Sequence, residues 1–163
     1  LEKIKELPES SILYLSVGAE SPKVVEELRK EAVDVQWVEV YQPNSSFQGG
    51  LALRDSLIGG EDAARTEMTE AQLKETYLSH LKDLLDHMDI WNSLDLQSSK
   101  YVFPGEGKES ALRECYEDAK QLDVLEAKNY CISGKRDEIV EYLEKTDISS
   151  ILVDEVKLSE LSN

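Results

Sequence analysis

Four short segments rich in β-branched and aromatic residues alternate with helix-like segments, and this alternation constrains the fold most. The strand-like segments are residues 12–17, 35–41, 128–132 and 148–153. A strand, a helix and a second strand in succession are typical of a β-α-β unit with parallel pairing. The first strand is apolar on both faces, as are strands buried between helices. The pattern predicts an α/β fold: a mostly parallel sheet with helices on both faces, in a three-layer Rossmann-like arrangement.

Helix start signals stand between these strands. Ser21 is a suitable N-cap, and Pro22 a suitable first residue, for a helix that extends to about residue 32. Thr69 is a suitable cap for a long helix to about Trp91, in which apolar residues recur at steps of three and four. Two further helices are predicted over residues 108–122 and 136–145.

The length of 163 residues fits a single α/β domain. Residues 42–68 differ from the rest because two Gly pairs and a Pro-Asn-Ser-Ser run mark a long loop or insertion. Loops of this length are usually either functional or disordered, and this one carries leucines that need burial. We expect it to be the most mobile or most partner-dependent segment. Because the chain begins with Leu1 rather than Met, we also expect a trimmed protein or a domain of a longer one.

The formal net charge of −16 limits the classes of partner. An acidic surface repels phosphate backbones and anionic lipid head groups, so we expect no nucleic-acid partner. No apolar run approaches the roughly 18 residues of a membrane span, so we expect no membrane insertion of this segment. Two cysteines, Cys115 and Cys131, are too few for a disulfide scaffold. They favour a reducing, cytoplasmic location.

Two groups of residues are candidates for chemistry. Gly105 to Ser110 has the glycines and the lysine of a phosphate loop, but position 102 is Val where that motif requires Gly. The second group has the helical spacing of a metal site and consists of His80, Asp83, Asp86 and His87. It lies opposite the apolar stripe of its helix, where an electrostatic i,i+4 pair explains it. For a nucleophile, there is no G-x-S-x-G motif. We therefore expect no enzymatic activity, no metal and no cofactor.

The C-terminal part of the chain has a strand that ends in glycine (129–134), a helix with an E-I-V face (137–143) and a β-branched strand (148–153). This order resembles the second half of the universal stress protein family. The strand–helix–strand opening of the chain fits the same family. The resemblance covers roughly residues 10–41 and 126–155 and implies the parallel fold of that family.

Two departures from the family concern its nucleotide site. Nucleotide-binding members have an Asp at the end of the first strand, where this chain has Val17-Gly18. They also have a glycine-rich loop after the fourth strand, where this chain reads Asp154 to Leu158 without glycine. The resemblance thus implies the fold without ATP binding. The last helix and strand of that fold are missing, so we expect the free edge to be covered by a second copy in a two-fold homodimer or by another domain of the same protein.

Two functions follow as hypotheses. The first is a non-catalytic regulatory or protein-interaction domain, as the cytosolic part of a larger protein such as a membrane transporter. The alternative is a small-ligand or nucleotide-binding domain with its site at the carboxyl ends of the strands, where open α/β sheets bind ligands. The ligand-binding residues of that site would be Gly18, Ala19, Glu20, Ser21 and Gly134.

Overall fold

The computed structural model describes residues 1–54, 68–93 and 107–158. The strands in these ranges are β1 (Ser11–Val24), β2 (Asp34–Val40), β3 (Gly50–Ala52), β4 (Glu126–Lys135) and β5 (Ile148–Leu158). The helices are α1 (Glu2–Lys5), α2 (Val25–Leu28), α3 (Glu70–Asp86), α4 (Met88–Ser93), α5 (Gly107–Gln121) and α6 (Arg136–Lys145).

The five strands form one sheet in the order β3-β2-β4-β1-β5. Every neighbouring pair is antiparallel. The predicted mostly parallel, Rossmann-like sheet is therefore wrong, and so is the universal stress protein-like fold that the resemblance implied.

Interleaving of two β-α-β units explains the error. β1 and β2 run in the same direction because both are antiparallel to β4, and β4 and β5 run in the same direction because both are antiparallel to β1. Each unit thus has the strand directions that its sequence predicts. However, β4 lies between β1 and β2, and β1 lies between β4 and β5. This is the split β-α-β arrangement of ferredoxin-like sheets.

The first predicted helix is replaced largely by strand. β1 continues through Ser21 and Pro22 to Val24, and α2 has only four residues. The β1–β4 register shifts between Gly18 and Lys23. Proline has no N–H to donate, and within a sheet it is found at such irregularities. The Ser-Pro pair therefore marks a bulge here rather than a helix start.

The other predicted helices are present. Thr69 caps α3, and its side chain and that of Gln72 form a reciprocal capping box. The long helix ends at Asp86, because His87 leaves helical geometry with φ −119° and ψ 32°, and α4 follows. α6 has the predicted bounds. No helix within the described ranges is both long and apolar enough to cross a membrane.

The core lies on one face of the sheet. Along β1, Leu13, Leu15 and Val17 are buried, whereas Tyr14 and Ser16, which point to the other face, are half-buried. α6 contacts β1 and β4. Across the described residues the helices cover this single face, so the prediction of helices on both faces is also wrong. An antiparallel sheet with one covered face is a common solution.

Part of the predicted long loop contributes to the core. Residues 50–52 form β3, which pairs with β2. Leu51 and Leu53 are each 1% exposed, so these leucines fill the domain's own interior. The remainder of the predicted loop, residues 55–67, lies outside the described residues.

Candidate functional site

The sheet face opposite the helices, here called the open face, carries rows of side chains that cross the strands. In one row, Trp37 of β2, Cys131 of β4, Ser16 of β1 and Leu152 of β5 are successive neighbours. Side chains directly opposite each other in such pairs lie about 4.5–5.5 Å apart at Cβ. The row is therefore one continuous surface from β2 to the edge strand.

A cavity of about 210 Å³ lies in the open face. It is lined in part by Gly18, which pairs with Asn129 on one side and with Ser150 on the other. A Cβ atom at Gly18 would lie 2.5 Å from Ser150 Oγ. Trp37 and Leu152 also line the cavity. Because Gly18 has no side chain, the side chains of Ser150 and Asn129 can approach its backbone within the lining of the cavity.

Trp37 is positioned by a glycine of the neighbouring strand. A Cβ atom at Gly50 would overlap the indole of Trp37, so the ring packs directly on the Gly50 backbone. An aromatic ring that covers a strand glycine protects the backbone there. β3 therefore shapes the cavity although it contributes no lining residue to it.

Polar contacts link the cavity to the edge strand. Ser16 Oγ donates a hydrogen bond of 2.6 Å to Asp154 Oδ2 and lies 3.5 Å from Cys131 Sγ. A hydroxyl has one proton to donate. Because that proton points to Asp154, the thiol of Cys131 is the donor in its contact with Ser16. The arrangement is a hydrogen-bond chain that ends on a carboxylate.

β5 forms an edge of the sheet. Among the described strands it pairs only with β1. Its other side presents a row of backbone N–H and C=O groups, which proteins usually cover, pair or interrupt. Two bulges interrupt β5, at Ser149 and Asp154, because at each the β1 partner advances by one residue while β5 advances by two.

The side chains of β5 are exposed and apolar. Of the eight large hydrophobic side chains that are well exposed in the described residues, five lie on β5: Ile151, Leu152, Val153, Val156 and Leu158. Ile151, Val153, Val156 and Leu158 pair with core-facing residues of β1 and so lie on the helix side of the sheet. Leu152 lies on the open face and is 63% exposed. The exposed apolar area of the described residues is thus concentrated on one edge strand.

The sequence-predicted ligand residues do not come together. Gly18 lines the cavity. Ala19 is buried, and Glu20 and Ser21 are exposed beyond it on β1. Gly134 pairs with Leu13, five residues before Gly18 on the same strand, which is roughly 16 Å in a strand. The carboxyl ends of parallel strands, on which this prediction depended, do not exist in the antiparallel sheet.

The other candidate groups serve local structure where they are described. His87 Nδ1 lies 2.7 Å from the carbonyl oxygen of Asp83, and Lys82 pairs with Asp86 at 2.6 Å. In the described parts of the chain, no three His, Cys, Asp or Glu residues are grouped as metal ligands. Of the phosphate-loop candidate, residues 105 and 106 lie outside the described residues, and the rest begins α5.

A second polar cluster lies inside the core. Gln42 is fully buried; its side-chain amide donates to the carbonyl of Cys115 at 3.0 Å and to Asp118 Oδ2 at 2.9 Å. Its carbonyl oxygen accepts from the Cys115 thiol at 3.2 Å and from the hydroxyl of Tyr77. Burial raises the pKa of both Tyr77 and Cys115 above their ordinary values. Because these groups satisfy one another, the cluster holds β2, α3 and α5 together and is structural.

Comparison with known proteins finds no match. No protein-family model, no curated protein and no solved structure matches the chain. Its function must therefore be argued from its own geometry.

Several residues of the open face were not found from the sequence. Trp37, Cys131 and Leu152 line the cavity but were not among the predicted site residues. The signal for them was the alternation in β1, where Leu13, Leu15 and Val17 are large and apolar but the residues between them include a serine. That alternation indicates a strand with one uncovered face.

Proposed function

We propose that this chain is a non-catalytic protein-interaction domain and that β5 is the strand through which it binds its partner. The observation that carries the proposal is the exposed apolar edge: five large hydrophobic side chains on one strand that has a hydrogen-bonded neighbour on one side only among the described strands.

Strand addition explains both properties of β5. In this mode of binding, a strand of the partner forms backbone hydrogen bonds with a free sheet edge, and side chains on both faces supply further contacts. The apolar side chains of Ile151, Val153 and Val156 are each about 40% exposed, and that of Leu152 is 63% exposed. Full burial of such a side chain contributes about 1.5–3 kcal/mol. Because these side chains are already partly buried, a complex that covers them gains only the remaining part of this free energy for each residue.

The proposal keeps the interaction function that the sequence predicted but not its setting. The sequence hypothesis of a membrane transport protein depended on the missing site motifs, on Leu1 in place of Met and on the long loop, and none of these identifies a transporter. What supports an interaction domain now is the local chemistry of β5.

Site-specific photocrosslinking in native cells tests the proposal. A photoreactive phenylalanine derivative replaces Leu152 in one variant and Leu84 in a matched control, since both are exposed leucines but Leu84 lies on α3. We expect a covalent protein adduct from position 152, absent from position 84, and lost when Ile151→Lys is added. No adduct at position 152, or equal adducts at both positions, would contradict the proposal.

A second candidate function is binding of a small ligand in the cavity of the open face. It is favoured by the geometry of the cavity, where Trp37 offers a ring for stacking and Asn129 and Ser150 offer polar groups around Gly18. A thermal-shift screen with aromatic acids, nucleosides and nucleotides tests it, because a ligand that binds only the folded state raises the midpoint. A ligand of this site should shift the wild type but not Gly18→Val, whose side chain occupies the cavity.

A further inference from the structure

We propose that the strand bound by β5 is β5 of a second copy, paired antiparallel across a two-fold axis that passes beside Leu152. This inference rests on the proposed function and names its partner. It joins two five-stranded sheets into one continuous sheet, with both helix layers on the same side.

The charge distribution favours a second copy of this chain over a basic partner. The chain carries a net charge of −16, yet residues 148–153 contain no charged side chain. A basic partner would find no carboxylate on this half of the strand. Two strongly acidic chains, in contrast, can approach closely only where neither presents charge, and the uncharged half of β5 is such a place.

The faces of the side chains restrict the possible register. Directly opposed residues of an antiparallel pair point to the same face of a sheet. Ile151 and Val153 lie on the helix side, whereas Leu152 lies on the open face. A symmetric pairing must therefore place Leu152 opposite a residue of its own face, and a register displaced by one residue is excluded.

Of the registers that remain, the one centred on Leu152 brings most apolar side chains together. It places Leu152 opposite the partner's Leu152 on the open face, and Ile151 opposite the partner's Val153 on the helix side, twice by symmetry. A centre at Val153 would instead place Leu152 opposite the partner's Asp154. A centre at Ile151 would place Leu152 opposite the partner's Ser150, so Leu152 meets another leucine only in the register centred on Leu152.

The two bulges of β5 are compatible with this register. Ser149 and Asp154 lie on opposite sides of Leu152. When two copies pair antiparallel, the segment around Ser149 in one copy therefore lies opposite the segment around Asp154 in the other. Beyond them, Ile148 comes opposite the partner's Val156, and both lie on the helix side. On each side of the axis, the opposed residues beyond the bulges thus again lie on the same face of the sheet.

The pairing also completes the cavity of the open face. Leu152 lines that cavity, and in the paired sheet the partner's Leu152 lies directly beside it. Two cavities, one from each copy, are then separated by a pair of leucines at the axis. Because a single strand pairing buries less than the ~1,200–2,000 Å² of a standard interface, we expect a dissociation constant of roughly 10–100 µM.

Disulfide trapping tests the register on the purified chain. In a Cys131→Ala background, Leu152→Cys places two thiols on the axis, where opposed Cα atoms about 4.5–5.5 Å apart suit a disulfide. The control Ser150→Cys places its thiol two residues from the axis, so the two copies lie roughly 13 Å apart along the strands. We expect mild oxidation to convert most of Leu152→Cys, but little of Ser150→Cys, to a covalent dimer. Equal conversion of the two variants would contradict the register.

Sedimentation equilibrium tests the association itself. We expect the wild type to dimerise over about 10–100 µM, Leu84→Lys to behave like the wild type, and Ile151→Lys to weaken dimerisation at least tenfold. Leu84 and Ile151 are matched, with 39% and 38% exposure. A wild type that is monomeric throughout this range would overturn the inference. If photocrosslinking at position 152 then identifies a different protein, the proposed function stands; without any adduct, both fail.

Discussion

The hydroxyl of Tyr77 on α3 donates a hydrogen bond of 2.5 Å to the side-chain carbonyl of Gln42, which follows β2. The same hydroxyl accepts a hydrogen bond of 3.2 Å from the backbone N–H of Gly49. One phenol thus ties a helix to both ends of the connection between β2 and β3.

Removal of this hydroxyl should destabilise the domain. In Tyr77→Phe the buried N–H of Gly49 loses its acceptor, and an unpartnered buried group costs about 1–3 kcal/mol. We expect a loss of that size in the free energy of unfolding, measured by urea denaturation. Tyr116→Phe on α5, where the tyrosine is only half-buried, is the control and should change stability by less than about 0.5 kcal/mol. Equal effects of the two substitutions would contradict the role of Tyr77.

Stability should fall at alkaline pH. Burial raises the pKa of Tyr77 and of Tyr130 above the ordinary value of 10.0. The folded state therefore keeps protons that the unfolded state loses, so these phenols contribute their full stability below pH 10 and lose it as the pH rises further. The expected decline is about 1 kcal/mol per pH unit for each phenol. Urea denaturation from about pH 8 to about pH 11, on either side of the ordinary phenol pKa, checks this. A rise in stability over that range would contradict it.

A methyl group at Gly50 should displace Trp37. Because a Cβ atom there overlaps the indole, Gly50→Ala should cost about 1–3 kcal/mol of stability and change the fluorescence of the indole. Gly134→Ala is the control, since its Cβ atom would be 3.3 Å from the flexible side chain of Glu138 and 3.6 Å from Ile139. We expect it to be neutral within about 0.5 kcal/mol. A neutral Gly50→Ala with unchanged fluorescence would show that the ring does not depend on this glycine.

Association through β5 should strengthen with ionic strength. Two chains of net charge −16 repel each other, and salt shortens the range of that repulsion to about 10 Å at 0.1 M and about 3 Å at 1 M. Sedimentation at low and high salt should give a smaller dissociation constant at high salt. Weaker association at high salt would indicate that attractive ion pairs, rather than apolar contacts, hold the dimer.

The sequence predicted local structure well where short-range chemistry decides it. Thr69 and Gln72 signal the start of α3 through a capping box, and α6 has the predicted bounds. The strands are also where β-branched residues predicted them. Sequence patterns over ten to twenty residues carry this information because caps and periodicity act within one element.

Strand neighbours could not be predicted in the same way. Ser16 lies next to Cys131, 115 residues away in the chain, and nothing within either segment identifies the other. The prediction of a parallel sheet assumed that consecutive strands are adjacent, whereas β4 separates β1 from β2. The grouping of Gly18 with Gly134 assumed that the carboxyl ends of parallel strands meet at one edge, and this antiparallel sheet has no such edge.

The interleaved strand order has a kinetic consequence for synthesis of the protein. β4, the strand between β1 and β2, begins only at Glu126, whereas β2 already ends at Val40. Protein synthesis adds roughly 5–20 residues per second, so several seconds pass between the synthesis of β2 and that of β4. The apolar faces of the first two strands remain uncovered during this time. Closing so long a loop is entropically costly and slows folding. A nascent chain of this protein therefore has a long interval, before β4 is made, in which the apolar faces of β1 and β2 are exposed to chaperones.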